Sequence, residues 1–431
     1  VSALFEALNA QIASGKHRFH MPGHKGCLLP PLEQAAPYDL TELDATGSLW
    51  RGEGPVCEVE NSFSKFYGSG ATLLSAGGST LCIQAMLALF CPQGTRVLMA
   101  RNCHVAAVHT AALLSLEPVW LWPDEPSGVG LAGRITPHLL EKALDEEKAT
   151  SAVVVTSPDY FGVMPDVKAL SAVCRKKGVP LLVDNAHGAH LVFFEQMHPL
   201  ALGADACCDS LHKTLPALTG TALLHLRDKS QKDRARRLMA VFGSTSPSYL
   251  MMLSADMLAD GWGELSKKIE KLACDVVALQ KKAQDKGIWA VAGAVDPLRI
   301  SLLFAPGGRK EVDALLNELL IEAEMVTDRH IVLLPSPQSD LHPVEKLIER
   351  LQPCDEKPFI PKHTRPVQAL PMAKALFGNS VCLSTASAVG KIAAFPVVCD
   401  PPGVALVVPG EIIPAALAQN SAGIRNCFVV E

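Results

Sequence analysis

A chain of 431 residues exceeds what one hydrophobic core holds, so it should divide into a large domain and at least one smaller one. With 48% apolar residues, 19% charged residues and a net charge of −5, the composition excludes a disordered or fibrous chain. Basic residues are dispersed except for a run at 229–237 that reads as a solvated helix face, so no nucleic-acid partner is expected.

Leu4, Leu8 and Ile12 stand at helical spacing and predict a helix within residues 1–16, read as an arm. The Gly- and Pro-rich stretch 17–37 cannot continue it. From about residue 55 to 230, short apolar runs alternate with helical patterns, and residues 96–100, 119–122, 152–156, 181–184 and 221–226 read as strands. Continuous apolar strands alternating with helices imply a mainly parallel sheet covered on both faces. A long helical pattern over 255–285 leads away from it. Residues 296–304 then open a smaller α+β unit, with a helix over 312–323, a strand over 330–334 and a Pro-rich connection over 352–371. The expected division is an arm with its opening motif (1–50), a large domain (51–290) and a small C-terminal domain (291–431). No apolar stretch of about 18 residues occurs and no secretory leader is recognisable, so no membrane association is expected. Thirteen cysteines without a C-x-x-C pair suit reduced thiols in a cytoplasmic protein.

The chemistry concentrates in Asp209-Ser210-Leu211-His212-Lys213-Thr214. A lysine flanked by Ser, His and Thr at a strand end suits a cofactor aldehyde, the amine forming an imine while hydroxyls and imidazole contact a phosphate. Upstream, Leu181-Leu182-Val183-Asp184 is an apolar strand ending in a carboxylate, where open parallel sheets place their ligands. Asp184 there can pair with a pyridinium nitrogen and keep the ring protonated, ready to accept electrons. Gly77-Gly78-Ser79-Thr80 precedes a helix-like run and offers amides, a helix dipole and two hydroxyls to a phosphate. Each feature has an ordinary alternative: a surface lysine, an N-cap aspartate, a capping turn. His17, His20 and His24, and His187 with His190, invite a metal reading, but no Cys or carboxylate completes a ligand set, and no metal is expected. His104, just after strand 96–100, is placed to stack on a planar ring.

In order, Phe19-His20-Met21-Pro22-Gly23-His24-Lys25-Gly26, Asp39-Leu40-Thr41-Glu42-Leu43, Arg101-Asn102-Cys103-His104, Asp184-Asn185-Ala186-His187-Gly188-Ala189-His190, Ser210-Leu211-His212-Lys213-Thr214, Ser244-Thr245-Ser246-Pro247-Ser248-Tyr249 and Pro401-Pro402-Gly403 with Pro409-Gly410-Glu411 resemble the Orn/Lys/Arg decarboxylase family of fold-type I pyridoxal-5'-phosphate (PLP) enzymes. The likeness is to its short bacterial form without the N-terminal wing domain, and runs almost end to end. It implies an α/β, fold-type I PLP-dependent transferase-like large domain with a mainly parallel sheet, plus a smaller C-terminal α+β domain.

The resemblance implies Lys213 as the Schiff-base lysine, Asp184 as the partner of the pyridine nitrogen and His104 as the stacking ring. Gly78, Ser79, Thr80, Ser210 and His212 would hold the phosphate, and His187 would lie near cofactor and substrate. The segment with Thr245 would approach a neighbouring subunit's site, so a homodimer or higher homo-oligomer is implied. The activity implied is decarboxylation of lysine, ornithine or arginine to an amine and CO2, a carboxy-lyase reaction suited to polyamine biosynthesis. Asn185 stands where the family usually has Glu, Val105-Ala106 where it has Lys-Ser, and Ala373, Lys391 and Asp400 where it has Arg, Arg and Tyr. Because Lys213, Asp184 and the phosphate cradle are common to the superfamily, an aminotransferase or a non-catalytic homologue remains open from the residues alone.

Overall fold

Seven strands make the central sheet, in the order Ala71–Ser75, Ala222–Leu226, Ala206–Ser210, Leu181–Asp184, Thr150–Thr156, Arg96–Ala100, Glu117–Leu121. The computed structural model describes residues 2–28, 30–126, 133–291, 293–353, 365–399, 403–420 and 424–431. Strand Arg96–Ala100 pairs in parallel with Glu117–Leu121 and Thr150–Thr156, as strands joined through crossover helices must. Ala222–Leu226 runs antiparallel to both Ala71–Ser75 and Ala206–Ser210. Leu181–Asp184, Ala206–Ser210, Ala222–Leu226 and Ala71–Ser75 are buried along their whole length. In Leu181–Asp184 this explains the unbroken aliphatic run Leu181-Leu182-Val183. The other three bury polar residues among the apolar ones: Thr72 with Ser75, His225, and Asp209 with Ser210.

By compactness the chain forms two units. The first comprises Val1–Leu89, Val183–Val277 and Pro335–Ser339. In it, helix Ala3–Ala13 buries Leu4 and Leu8 against helices Pro55–Tyr67 and Tyr249–Asp260. Asp256 accepts hydrogen bonds from the Ser2 hydroxyl and, at 2.9 Å, from the Phe5 N–H. Glu60 lies fully buried on helix Pro55–Tyr67. Its carboxylate takes two bonds from the Arg236 guanidinium, at 3.0 and 2.6 Å, and one from the Leu74 N–H at 3.1 Å. The helical pattern expected over 255–285 is instead two helices, Tyr249–Asp260 and Trp262–Asp285. Ser248 caps the first one earlier than expected, and Gly261, a poor helix former, stands at the break.

The second unit comprises Phe90–Leu182, Ala278–Leu334 and Asp340–Glu431. Phe161, Val163, Val291, Leu303, Met325 and Val332 share a core beneath a three-stranded sheet ordered Ile300–Leu303, His330–Leu333, Met325–Val326. The helix expected over 312–323 runs from Arg309 to Glu318. Further on, Ser380–Ser384 pairs antiparallel with Asn426–Val430, and Val397–Cys399 with Val404–Val407, over a cluster that includes Ala393, Val407, Ile413 and Val429. Arg101 is buried here, donating to the Ala405 and Leu406 carbonyls and, at 3.1 Å, to Glu411. Its guanidinium lies 5.1 Å from the Trp120 ring centre and 5.2 Å from that of Trp122.

The architecture is thus mixed α/β with a mainly parallel core sheet and a smaller, β-rich C-terminal part. Among the described residues no helix is long and apolar enough to cross a membrane.

Candidate active site

Three aliphatic residues bury strand Leu181–Asp184, and Asp184, at its carboxyl end, is only 4% exposed. Its Oδ1 accepts from the Ala186 N–H at 3.1 Å and from the Cys208 thiol at 3.5 Å. The turn that follows is closed by Gly188 N–H to the Asn185 carbonyl at 2.7 Å and by Asn185 N–H to the Cys208 carbonyl at 3.0 Å. That turn presents His187, whose Nε2 lies 3.0 Å from Lys213 Nζ.

Lys213 sits in the one-turn helix Leu211–Thr214, directly after strand Ala206–Ser210. Beside it, His212 Nδ1 lies 3.2 Å from both the Gly220 N–H and the Thr221 carbonyl, so this ring nitrogen braces the following loop. Burial first, and then the Lys213 charge, hold the His212 imidazole below its ordinary range, while the Thr221 carbonyl opposes them.

Strand Ala71–Ser75 leads into helix Gly78–Phe90 through a turn in which Gly78 has φ +69°, a left-handed conformation that favours glycine. The Gly78 N–H donates to the Gly220 carbonyl at 2.7 Å and the Gly77 N–H to Ser75 Oγ at 3.1 Å. The cradle amides therefore divide: those of the glycines tie the loop down, and the first-turn residues Ser79 and Thr80 are the ones left to meet an anion. A cleft of about 160 Å³ opens beside them, lined by Trp50, Gly77, Thr80, Gln84, Phe242 and Ser244 among others. The segment carrying Thr245 thus borders the cradle within one chain. Thr245 itself is exposed, next to Ser244, whose carbonyl accepts from Trp50 Nε1 at 2.8 Å.

His104 belongs to the second unit, where it caps helix Val105–Leu113 and accepts from the Ala106 N–H at 3.1 Å. Val105 N–H donates to the Gly403 carbonyl at 2.8 Å. Gly403 has φ +72°, and a Cβ on it would come within 2.8 Å of the His104 ring, so only glycine fits. Asp400, Pro401 and Pro402 lie outside the described residues.

The structure thus brings Lys213, His187, Asp184, Ser210 and His212 together in the first unit, which also holds Gly78, Ser79, Thr80 and Thr245. Whether these side chains suit PLP is tested by two buried hydroxyls. Ser210 Oγ and Thr214 Oγ1, on either side of Lys213, have no hydrogen-bond partner among the described residues. Buried polar atoms are nearly always paired, so two buried hydroxyls flanking an amine fit a phosphorylated aldehyde. Sequence reasoning read the Thr214 hydroxyl only as one of the phosphate contacts around Lys213 and assigned no role to Cys208. The available signal was strand alternation, which puts Cys208 and Ser210 on one face of Ala206–Ser210 and Cys207 and Asp209 on the other. On that second face His198 Nε2 lies 3.0 Å from Asp209 Oδ2, and with Cys207 these two side chains offer donor atoms within 4.8 Å of one another. The His198–Asp209 spacing is that of a hydrogen bond.

An arginine decarboxylase of Bacillus subtilis is 26% identical to this chain, the alignment covering 95% of the chain and 91% of that protein. The constitutive lysine decarboxylase of Escherichia coli is 23% identical over 59% of the chain and 39% of that protein. The fold is similar to that of lysine decarboxylase A from Pseudomonas aeruginosa, with a TM-score of 0.81 at 18% identity, covering 97% of this chain and 75% of that one. Residues 2–298 match the family described as Orn/Lys/Arg decarboxylase, major domain. With two thirds of its length matched and a lysine, carboxylate and hydroxyl set that fits PLP, the chain belongs to the Orn/Lys/Arg decarboxylase family of PLP-dependent carbon–carbon lyases.

Proposed function

We propose that this chain decarboxylates a basic amino acid, with arginine the substrate to test first, and that Lys213, Asp184 and His187 carry the reaction. The observation that carries this reading is the Lys213 Nζ to His187 Nε2 approach of 3.0 Å beside the buried Asp184 carboxylate. Arginine is favoured because the arginine decarboxylase of Bacillus subtilis aligns along nearly its whole length, whereas the E. coli lysine enzyme aligns along 39% of its own. In this reading residues 51–290 form the cofactor domain and 291–431 the smaller one, and the active form is a cytoplasmic homodimer or larger homo-oligomer.

PLP, when bound, supplies an aldehyde that captures an amine and a conjugated ring that draws in the electron pair of a broken bond. Lys213 would hold the aldehyde carbon and Asp184 the pyridine nitrogen. Ser79, Thr80, Ser210 and His212 would hold the phosphate, joined by the buried Thr214 hydroxyl. His104 would stack on the ring, and Thr245 would add a phosphate contact. In the overall reaction the α-carboxylate leaves as CO2 and one proton takes its place at the α-carbon. Lys213 and His187 are the candidate donors, and at 3.0 Å they can pass that proton between them.

The test is CO2 release by PLP-loaded protein offered arginine, lysine and ornithine separately. Release from arginine, with agmatine as product, supports the proposal, and release from one of the others corrects the substrate. Keto-acid formation without CO2 would favour an aminotransferase, and a loaded protein inert to all three would favour a non-catalytic homologue.

A further inference from the structure

The most unusual interior feature outside the residues already assigned is a polar cluster on the far face of strand Ala206–Ser210. Asp209 is fully buried there. Its Oδ2 lies 3.0 Å from His198 Nε2 and 3.4 Å from His225 Nε2, both rings also being buried. His225 is held in turn through Nδ1 by Thr72 Oγ1 at 2.8 Å, and Thr72 by Ser69 Oγ at 2.8 Å. Tyr67 stacks on His225 with ring centres 4.2 Å apart and donates its hydroxyl hydrogen to the Ala189 carbonyl at 2.9 Å. Burial alone would push the Asp209 carboxyl up, but the two imidazoles beside it outweigh burial and hold it well below the usual carboxylate range. A buried carboxylate braced from one side by two rings is stiff, and its other oxygen is committed elsewhere.

That other oxygen, Oδ1, accepts from the Asn185 side-chain amide at 2.6 Å. The opposite amide orientation would set two oxygens against each other, so the direction of this bond is fixed by charge. Asn185 is itself fully buried and is the first residue after Asp184. Its N–H and C=O make two of the bonds that shape the turn, to the Cys208 carbonyl and from the Gly188 N–H. Cys208, next to Asp209 on the strand, donates its thiol to Asp184 itself at 3.5 Å. Both ends of the segment 184–189 are therefore tied to this cluster: Asp184 and Asn185 through Cys208 and Asp209, and Ala189 through Tyr67. His187 lies between them.

We propose that Asp209 is a positioning residue for the cofactor site, acting through Asn185 to fix the turn that carries both Asp184 and His187. Because one buried carboxylate orients the partner of the pyridine nitrogen and the imidazole facing Lys213, its removal disturbs both at once. The inference rests on the PLP reading above.

The experiment is a PLP titration of purified apo-protein, followed by the visible circular dichroism of the bound cofactor, which reports ring orientation, with the apo-protein's thermal unfolding as control. Asp209→Asn is expected to weaken PLP binding about tenfold or more, the size of one lost charge-assisted hydrogen bond, and to change the dichroism. Asn185→Ala cuts the same link but leaves the Asp209–His198–His225 group intact, so it serves where Asp209→Asn does not fold. The two substitutions together should weaken binding no more than the worse of them alone, since both sever one connection. If Asn185→Ala and any folded Asp209→Asn protein lower only the unfolding temperature, with affinity and dichroism unchanged, Asp209 is merely structural and the proposal falls. If wild-type protein takes up no PLP, the PLP reading itself fails and this inference with it; a wild type that loads while the variants load identically sinks this inference alone.

Discussion

Lys213 Nζ and His187 Nε2 meet at 3.0 Å, joining the short helix after strand Ala206–Ser210 to the turn after strand Leu181–Asp184. Borohydride reduction of the PLP-loaded protein should attach the cofactor to the peptide containing Lys213, as read by mass spectrometry. Lys213→Ala should lose that adduct. His187→Ala should keep it and lose about 10²- to 10⁴-fold in turnover, the range for a proton-transfer residue.

Glu60 and Arg236 form a bidentate ion pair with both partners buried. Glu60→Ala strands a guanidinium in the interior and should cost about 3–5 kcal/mol in urea unfolding. Replacing both by methionine should recover most of that loss, because the cost lies in the uncompensated charge. A double variant as unstable as Glu60→Ala would contradict this account.

The cofactor strands were readable because burial on both faces writes itself as uninterrupted aliphatic sequence: residues 96–100 and 181–184 were placed to the residue. Strand Ala206–Ser210 lies buried beside Leu181–Asp184, yet it carries no aliphatic run, and its Asp209 carboxylate is met by residues outside the strand, Asn185 and His198. A strand was expected just before Lys213, but no local pattern marked its bounds. Lys213 and Asp184 were legible from composition at a strand end. The shared use of Gly220, whose carbonyl takes the Gly78 N–H and whose own N–H points to His212, was not, since it joins two motifs far apart in the chain.

Arg101→Lys should destabilise the second unit despite keeping the charge. A lysine cannot serve Glu411 and two carbonyls while lying flat near Trp120 and Trp122. The expected loss is about 2–4 kcal/mol, the size of breaking a buried, charge-assisted network. Thermal unfolding together with limited proteolysis of the C-terminal part would show it.

His330 gives the second unit a specific acid sensitivity. Burial, with the Arg329 charge adding to it, pushes this imidazole down from 6.5 to about 4. The folded state therefore prefers the neutral ring, and the unfolded chain binds the extra proton. This contribution is fully present above pH 6.5 and is lost as pH falls toward 4. Urea midpoints measured from pH 7.5 down to about 4.5 should fall less steeply for His330→Gln than for wild type. Parallel curves would show that the ring does not control the acid limb.

Asp159 acts with the opposite sign. Burial pushes its carboxyl up from 3.8 to about 6 against the pull of the Val163 and Phe161 N–H groups. Stability tied to it is present below pH 3.8 and declines as pH rises through 6. Asp159→Asn, which keeps an oxygen for those two N–H donors, should gain on wild type at pH 7.5 relative to pH 5. An equal difference at both values would argue against the raised carboxyl.

Gly403 imposes a rule on anyone who would splice this enzyme. Because its bare backbone leaves room for the His104 ring, the orientation of a side chain in the first quarter of the chain is dictated from near the last. A chimera that borrows the C-terminal portion of a relative will inherit a usable imidazole only if the borrowed piece brings a glycine to that place, however well the rest of its surface matches. Even an alanine there would act as a wedge, turning the ring without touching any residue of the large sheet.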